Sequence, residues 1–156
     1  MAERGVDLVL QSQYTGHAAG TPFEAIAGGR LRSNYYPGLA LYNWTTGALQ
    51  PRSVVNQIIV AQLEVGSDVV IGSSNSTASV YALELASSAG TRKALLVSKR
   101  ATAQEVSVAS VLGGATSATA WIVDETYQTE RSPRVVRNAE GSLKLSGFAT
   151  AVLVQS

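Results

Sequence analysis

The sequence changes character near Gly66, and that join limits what the chain can fold into. Ahead of it lie an apolar run from Val6 to Gln11, a second run from Gly38 to Thr45, and a helix-like segment from Pro51 to Val65. Behind it come only short alternating runs with turn residues between them. The first pattern is that of the tail of an α/β layer, the second that of an antiparallel β-sandwich. A lone strand–helix fragment cannot easily close its own core. The chain is therefore expected to be the end of something larger, with a strand–loop–helix segment over residues 1–66 and a sandwich over residues 67–156.

Val6 to Gln11 is nearly continuously apolar, which suits a strand covered on both faces. Ser12 to Asn34 reads as a long loop carrying Gly16, Gly20, Gly28 and Gly29. A loop of that length inside a compact domain is usually functional or loosely ordered. Leu39 to Trp44 is the second strand, and Thr45-Thr46-Gly47 a turn. Pro51 is well placed as the first residue of a helix. Val54, Val55, Ile58, Ile59 and Leu63 fall mostly at spacings of three and four, which gives one apolar stripe, and Gly66 is a natural stop.

From Asp68 onward the period is two. The expected strands are Val69 to Gly72, Ser79 to Leu85, Lys93 to Lys99, Glu105 to Ser110, Ala118 to Asp124 and Phe148 to Val154, with a shorter one at Ser142 to Leu145. Turn residues separate them: Ser-Ser-Asn-Ser after Gly72, Gly113-Gly114, and Asn138-Ala139-Glu140-Gly141. Ser87-Ser88-Ala89-Gly90, between two apolar runs, is the clearest hairpin. The fold class that follows is mainly β: an antiparallel sandwich preceded by a strand–helix remnant with one helix.

Composition narrows the function classes. The chain has 156 residues and a formal net charge of +1, so there is no broad electrostatic attraction for nucleic acid or an anionic membrane. It has no cysteine, which excludes disulfides, thiolate metal sites and thiol nucleophiles. The start, Met1-Ala2-Glu3-Arg4-Gly5, has no apolar stretch of the kind a secretory signal needs. No apolar run approaches the length of a membrane span. His17 is the single histidine, and a metal site built on it would need further ligands nearby, so neither a metal nor another cofactor is expected. A Ser-His-Asp triad lacks its Gly-x-Ser-x-Gly elbow, and neither Gly28-Gly29 nor Gly113-Gly114 sits in a phosphate-binding loop.

The segments in their order resemble a known pattern. Gly5 to Gly16, then Tyr36 to Gly47, then an arginine-led helix look like the last strand, loop and helix of a (β/α)-barrel glycoside hydrolase. Lys93 to Arg100, a strand ending Val123-Asp124-Glu125, and a terminal Leu145 to Val152 look like the β-sandwich such enzymes carry at the C-terminus. The resemblance is to glycoside hydrolase family 79 of clan A, the heparanase and β-glucuronidase group. It implies a secreted or extracellular enzyme whose acid and nucleophile are glutamates after the fourth and seventh barrel strands. Since the likeness begins just before the eighth strand, it carries no catalytic residue onto this chain.

The acidic residues give no independent pair. Asp124 and Glu125 are adjacent on a strand, so their side chains point to opposite faces and cannot flank one glycosidic bond. A strand end entering a turn explains them. Glu24 has no partner in sequence, and Asp7, a charge within an apolar strand, reads best as a strand-end or loop-bonded residue. Substrate contacts are expected instead from the first part of the chain. Tyr14, Tyr35, Tyr36, Tyr42 and Trp44 gather the aromatics there, and in an intact barrel the strand ends and their loops form the active-site face. Trp44 is the foremost sugar-stacking candidate, with Tyr14 and His17 beside it in the loop. Arg30, near Arg32 and Arg52, is a candidate for an acidic sugar, because arginine forks suit carboxylates. Packing between helix and sandwich is the competing explanation for the aromatics, and a solvated cluster that for the arginines. Trp121 alternates with Ala120 and Ile122 and is expected to be core or half-buried. Asn43 and Asn75 head glycosylation triplets, relevant only to a secreted eukaryotic chain.

Three functions are consistent with this sequence. The first is a non-catalytic C-terminal portion of a family-79-like glycoside hydrolase, with a barrel catalytic domain or a second copy of the chain as its partner. The second is a free-standing carbohydrate-binding or adhesion sandwich. The third is a structural assembly module that pairs through a strand edge or the helix.

Overall fold

The computed structural model describes residues 48–63, 68–75, 79–127 and 132–156. In chain order the elements are α1 (Pro51–Gln62), β1 (Val69–Asn75), β2 (Val80–Ala86), β3 (Arg92–Ser98), β4 (Gln104–Ser107), α2 (Val108–Val111), β5 (Ser117–Val123), β6 (Arg134–Glu140), β7 (Ser142–Leu145) and β8 (Thr150–Gln155). Six strands form one antiparallel sheet in the order β1-β2-β3-β8-β5-β6, and β4 pairs with β7 in a second, smaller sheet. The described part of the chain is thus mainly antiparallel β, as the alternating pattern predicts.

Alternation along the strands decides the layers. On one face of the large sheet Ala82, Ala94, Leu96, Ala118, Ala120, Ile122, Ala151 and Leu153 meet Val106, Leu143 and Leu145 of the small sheet and Val108 and Val111 of α2 in one buried cluster. Alanine dominates the large sheet's side of this contact. Its short side chains leave room for the valines and leucines of the layer above to interdigitate. On the opposite face, Val123 and Val152 take Val54 and Ile58 of α1 into a second cluster. The order of layers is therefore α1, large sheet, small sheet.

Local chemistry accounts for the connections. Pro51 opens α1 at the position where its missing N–H is harmless. In the hairpin between β2 and β3, Gly90 donates to the Ser87 carbonyl at 2.9 Å, and the Thr91 amide donates to the Ser87 hydroxyl at 3.1 Å. Gly90 has φ +84°, a conformation that favours glycine. Gly141, with φ +64°, is the single residue between β6 in the large sheet and β7 in the small one. The chain changes layers at that point.

Several expected boundaries move, each for a physical reason. α1 ends at Gln62, not Val65: Leu63 is extended, although its N–H still donates to the Ile59 carbonyl at 2.8 Å. Gly66, the expected stop, lies outside the described residues. β1 runs on through the serines expected to break it, because Ser73, Ser74 and Asn75 stay in register with Leu83, Ala82 and Tyr81. The expected strand Glu105 to Ser110 is cut at Ser107, whose side chain accepts the Ser110 amide and caps a second helix, α2. Val108 and Val111 are then both buried at helical spacing. Phe148 is not in a strand. Its φ is +52° and its amide donates to the Arg100 carbonyl at 2.8 Å, so β8 starts two residues later.

β6 is the strand that the sequence pattern missed. It is an edge strand, largely exposed, with Arg134, Arg137, Asn138 and Glu140 diluting the alternation. Asn138, expected in a turn, has φ +51° and lies in an irregularity of the β5–β6 ladder, between the Ala120–Val136 and Ala118–Ala139 pairs. The expected strands Val6 to Gln11 and Leu39 to Trp44, and the loop Ser12 to Asn34, lie outside the described residues.

Candidate functional site

The best-built feature of the described chain is the seat of α1. Val54 and Ile58 are buried one turn apart against Val123 and Val152. Leu49, Val55, Ile59 and Leu63 pack around them, with Trp121 and Val154 on the sheet side. Tyr127, itself buried, donates its hydroxyl proton to the Leu49 carbonyl at 3.1 Å and ties the approach to α1 to the end of β5. The outward side of the helix is different. Val60 is 74% exposed, near exposed Asn56 on the same side. An amphipathic helix normally turns polar residues to water.

Two ion pairs engage the buried carboxylates of Asp68 and Asp124. Asp124 is 8% exposed and sits just beyond β5. Its Oδ1 accepts from the Thr126 amide at 3.0 Å and the Thr126 hydroxyl at 2.7 Å, and its Oδ2 accepts from Arg134 Nη2 at 3.2 Å. Burial alone would raise the Asp124 pKa, but the hydrogen bonds from Thr126 and Arg134 outweigh it and hold the carboxyl below the ordinary aspartate value. Arg134 Nη2 also donates to the Lys144 carbonyl at 3.2 Å, so the cluster links β5, β6 and β7. At the other end of the sheet, Lys93 Nζ lies 2.9 Å from Asp68 Oδ2, and both side chains are buried.

These carboxylates cannot act as an acid–nucleophile pair. Asp68 precedes the first strand of the sheet and Asp124 follows the fifth in spatial order, at the opposite end. Strand spacing and rise put them more than ~20 Å apart, well beyond what one glycosidic bond requires. Glu125, adjacent to Asp124, is exposed while Asp124 is buried, so the two diverge as the sequence pattern predicts. Among the described residues no three histidine, aspartate or glutamate side chains converge as a metal site would need.

A polar groove of about 340 Å³ opens between β2 and β4, floored by Val80, Ala82 and Val106 and rimmed by Gln104, Glu105 and Ser107. Part of its polar rim is already engaged. Gln104 Nε2 donates to the Ala103 carbonyl at 2.9 Å and to Thr102, and the Ser107 hydroxyl caps α2. The groove's remaining free groups form no convergent set.

Of the residues the sequence nominates, Tyr14, His17, Arg30, Asn43 and Trp44 lie outside the described residues. Asn75 is the last residue of β1, opposite Tyr81. Trp121 is half-buried, as expected, on the α1 side of β5. The Asp68–Lys93 and Asp124–Arg134 pairs went unnoticed in the sequence. One signal was available: Lys93 alternates with Leu95 and Val97, which places a cation on an inward face where it needs a counter-charge.

No protein-family model and no curated protein matches the chain. The described fold is similar to solved structures of larger proteins. One is a GH30 endoxylanase from Clostridium papyrosolvens C71, at 12% identity and a TM-score of 0.52, covering 74% of this chain and 30% of that one. Another is the catalytic domain of GH30 xylanase C from Talaromyces cellulolyticus, at 17% identity and a TM-score of 0.44, covering 57% of this chain and 20% of that one. The chain thus spans less than a third of the length of either. The endoxylanase match establishes a fold shared with part of a glycoside hydrolase, at the level of fold and in family 30, not specifically family 79.

Proposed function

We propose that this chain is the non-catalytic C-terminal portion of a clan A glycoside hydrolase, in the manner of the β-glucuronidase and heparanase group, and that it supports a (β/α)-barrel carried outside these 156 residues. The observation that carries this reading is α1. It is anchored to the sandwich sheet through Val54 and Ile58 and turns Val60 to solvent. A helix shared between two bodies needs this two-sided character: one face holds the sheet and the other takes the barrel. The fold shared with 30% of an endoxylanase supports the same division of labour.

In this role the sandwich contributes stability and position, not acid–base chemistry. Its two buried carboxylates are neutralised by Lys93 and Arg134 and lie at opposite ends of the sheet. The enzyme as a whole would be secreted, as the family resemblance implies. Among the described residues no helix is long and apolar enough to cross a membrane. The direct test is a hydrolysis assay on aryl glucuronides, aryl xylosides and xylan, with the 156-residue chain and with the same chain extended upstream. The chain is expected to be inactive and the extended protein active. Turnover by the chain alone would overturn the reading.

A further inference from the structure

α1 starts without help from its own sequence. Its N-cap is Gln50, whose side chain makes no capping hydrogen bond, and its first turn carries no acidic residue. A 12-residue helix of this kind is marginal by itself and depends on tertiary contacts to stay formed. Apolar contact with Val123 and Val152 supplies part of that support. A polar contact fixes the start of the helix. The Tyr127 hydroxyl donates to the carbonyl of Leu49, the residue just before the N-cap, at 3.1 Å.

The position of that hydroxyl is set by Asp124. The Asp124 backbone carbonyl accepts the Tyr127 amide at 3.1 Å. Its Oδ1 accepts the Thr126 amide at 3.0 Å and the Thr126 hydroxyl at 2.7 Å. Main chain and side chain of one aspartate thus close the same turn, which fixes residues 124–127 as a unit. The other carboxylate oxygen, Oδ2, is held by Arg134, whose Nη2 also donates to the Lys144 carbonyl of β7. Hydrogen bonds therefore lead from β7 through Arg134, Asp124 and the turn to Tyr127, Leu49 and α1. The two apolar clusters lie on opposite faces of the large sheet and share no residue. This polar line passes the end of β5 and joins the small sheet to the helix.

We propose that Asp124 and Arg134 are positioning residues for α1: they hold the turn that aims the Tyr127 hydroxyl at Leu49, and so couple the docking of α1 to the grip of Arg134 on β7. Local opening of α1 is the equilibrium that both ends of the line bias. The coupling lies within the described chain. Its use, setting the helix that meets the barrel, rests on the function proposed above. The test needs neither a barrel nor activity, so the two can fail separately.

Hydrogen exchange is measured on the 156-residue chain, on Tyr127→Phe, on Arg134→Met and on the double variant, with the α1 amides read beside those of β3. Tyr127→Phe removes one hydroxyl and keeps the ring in the α1 cluster. It is expected to speed α1 exchange by ~5-fold, the loss of one neutral hydrogen bond, with β3 little changed. Arg134→Met, on the far side of Asp124, is expected to speed α1 exchange by ~3-fold or more when Tyr127 is present and by less than ~2-fold in the Tyr127→Phe background. Unchanged α1 exchange in Arg134→Met would overturn the proposal. So would an equal factor with and without the hydroxyl, which is what a general loss of stability gives. If Arg134→Met does not fold, Thr126→Val, which removes one bond within the turn and keeps the ion pair, takes its place in the cycle with the same expected and overturning results.

Discussion

Arg134 Nη2 stands 3.2 Å from Asp124 Oδ2 and 3.2 Å from the Lys144 carbonyl, so one guanidinium nitrogen fastens the β5–β6 hairpin to β7. The carboxyl it holds is ionised below the usual aspartate range. A depressed folded-state pKa adds stability that is present above the unfolded value, near 3.9, and is lost as pH falls through the folded value. Asp124→Asn should therefore cost about 1–3 kcal/mol at pH 7. The difference from the unmodified chain should shrink as the pH is lowered below about 4. Urea unfolding at pH 7 and pH 3 checks this, and a pH-independent difference would separate Asp124 from the acid sensitivity.

The Lys93–Asp68 pair calls for a different substitution pattern. Lys93→Ala takes the nearest cation from the buried Asp68 carboxylate and should destabilise by roughly 3 kcal/mol. Replacing both groups with uncharged side chains of similar size, Lys93→Met with Asp68→Asn, should recover most of that loss. Chemical denaturation of the three proteins decides it. A double variant as weak as Lys93→Ala would mean that the pair itself, and not the cost of burying a carboxylate without Lys93, carries the stability.

Gly147 lies against the backbone of Ala101, and a Cβ there would fall on the Ala101 carbonyl oxygen, well inside van der Waals contact. Backbone cannot yield as a side-chain tip does. Gly147→Ala should cost about 2 kcal/mol or more through this clash alone. At Gly72 the nearest obstacle is the flexible Glu84 carboxylate, and the same substitution there should be far milder. Thermal melts of the two variants give the comparison directly.

The two faces of α1 should respond in opposite ways. Ile58→Ala empties a site between the helix and Val152 and should cost about 2–4 kcal/mol. Val60→Asp alters a residue that touches solvent and should change stability by less than ~0.5 kcal/mol. Denaturant midpoints for both variants test the assignment of faces.

The sequence was informative wherever one residue type had one available role. Pro51 and the stripe Val54, Val55, Ile58 and Ile59 mark α1 because helical spacing is hard to mistake. Ser87 to Gly90 marks its hairpin because Gly90 takes the positive φ that the turn needs. The alternation from Lys93 to Ser98 sets the central strand. The misreadings fall where local chemistry competes. Val108 to Val111 has the composition of a strand, yet the Ser107 cap turns it into a helix. β6 is hidden because an exposed edge strand has little need of apolar residues on its outer face.

The claim that α1 serves two bodies is tested most directly by association. The 156-residue chain is mixed with the proposed barrel polypeptide, and sedimentation velocity is recorded for the unmodified chain and for Val60→Asp. A one-to-one complex with glycosidase activity, lost in Val60→Asp while the variant stays folded, is the expected result. A chain that sediments independently of that polypeptide, or that Val60→Asp leaves fully associated, would contradict it.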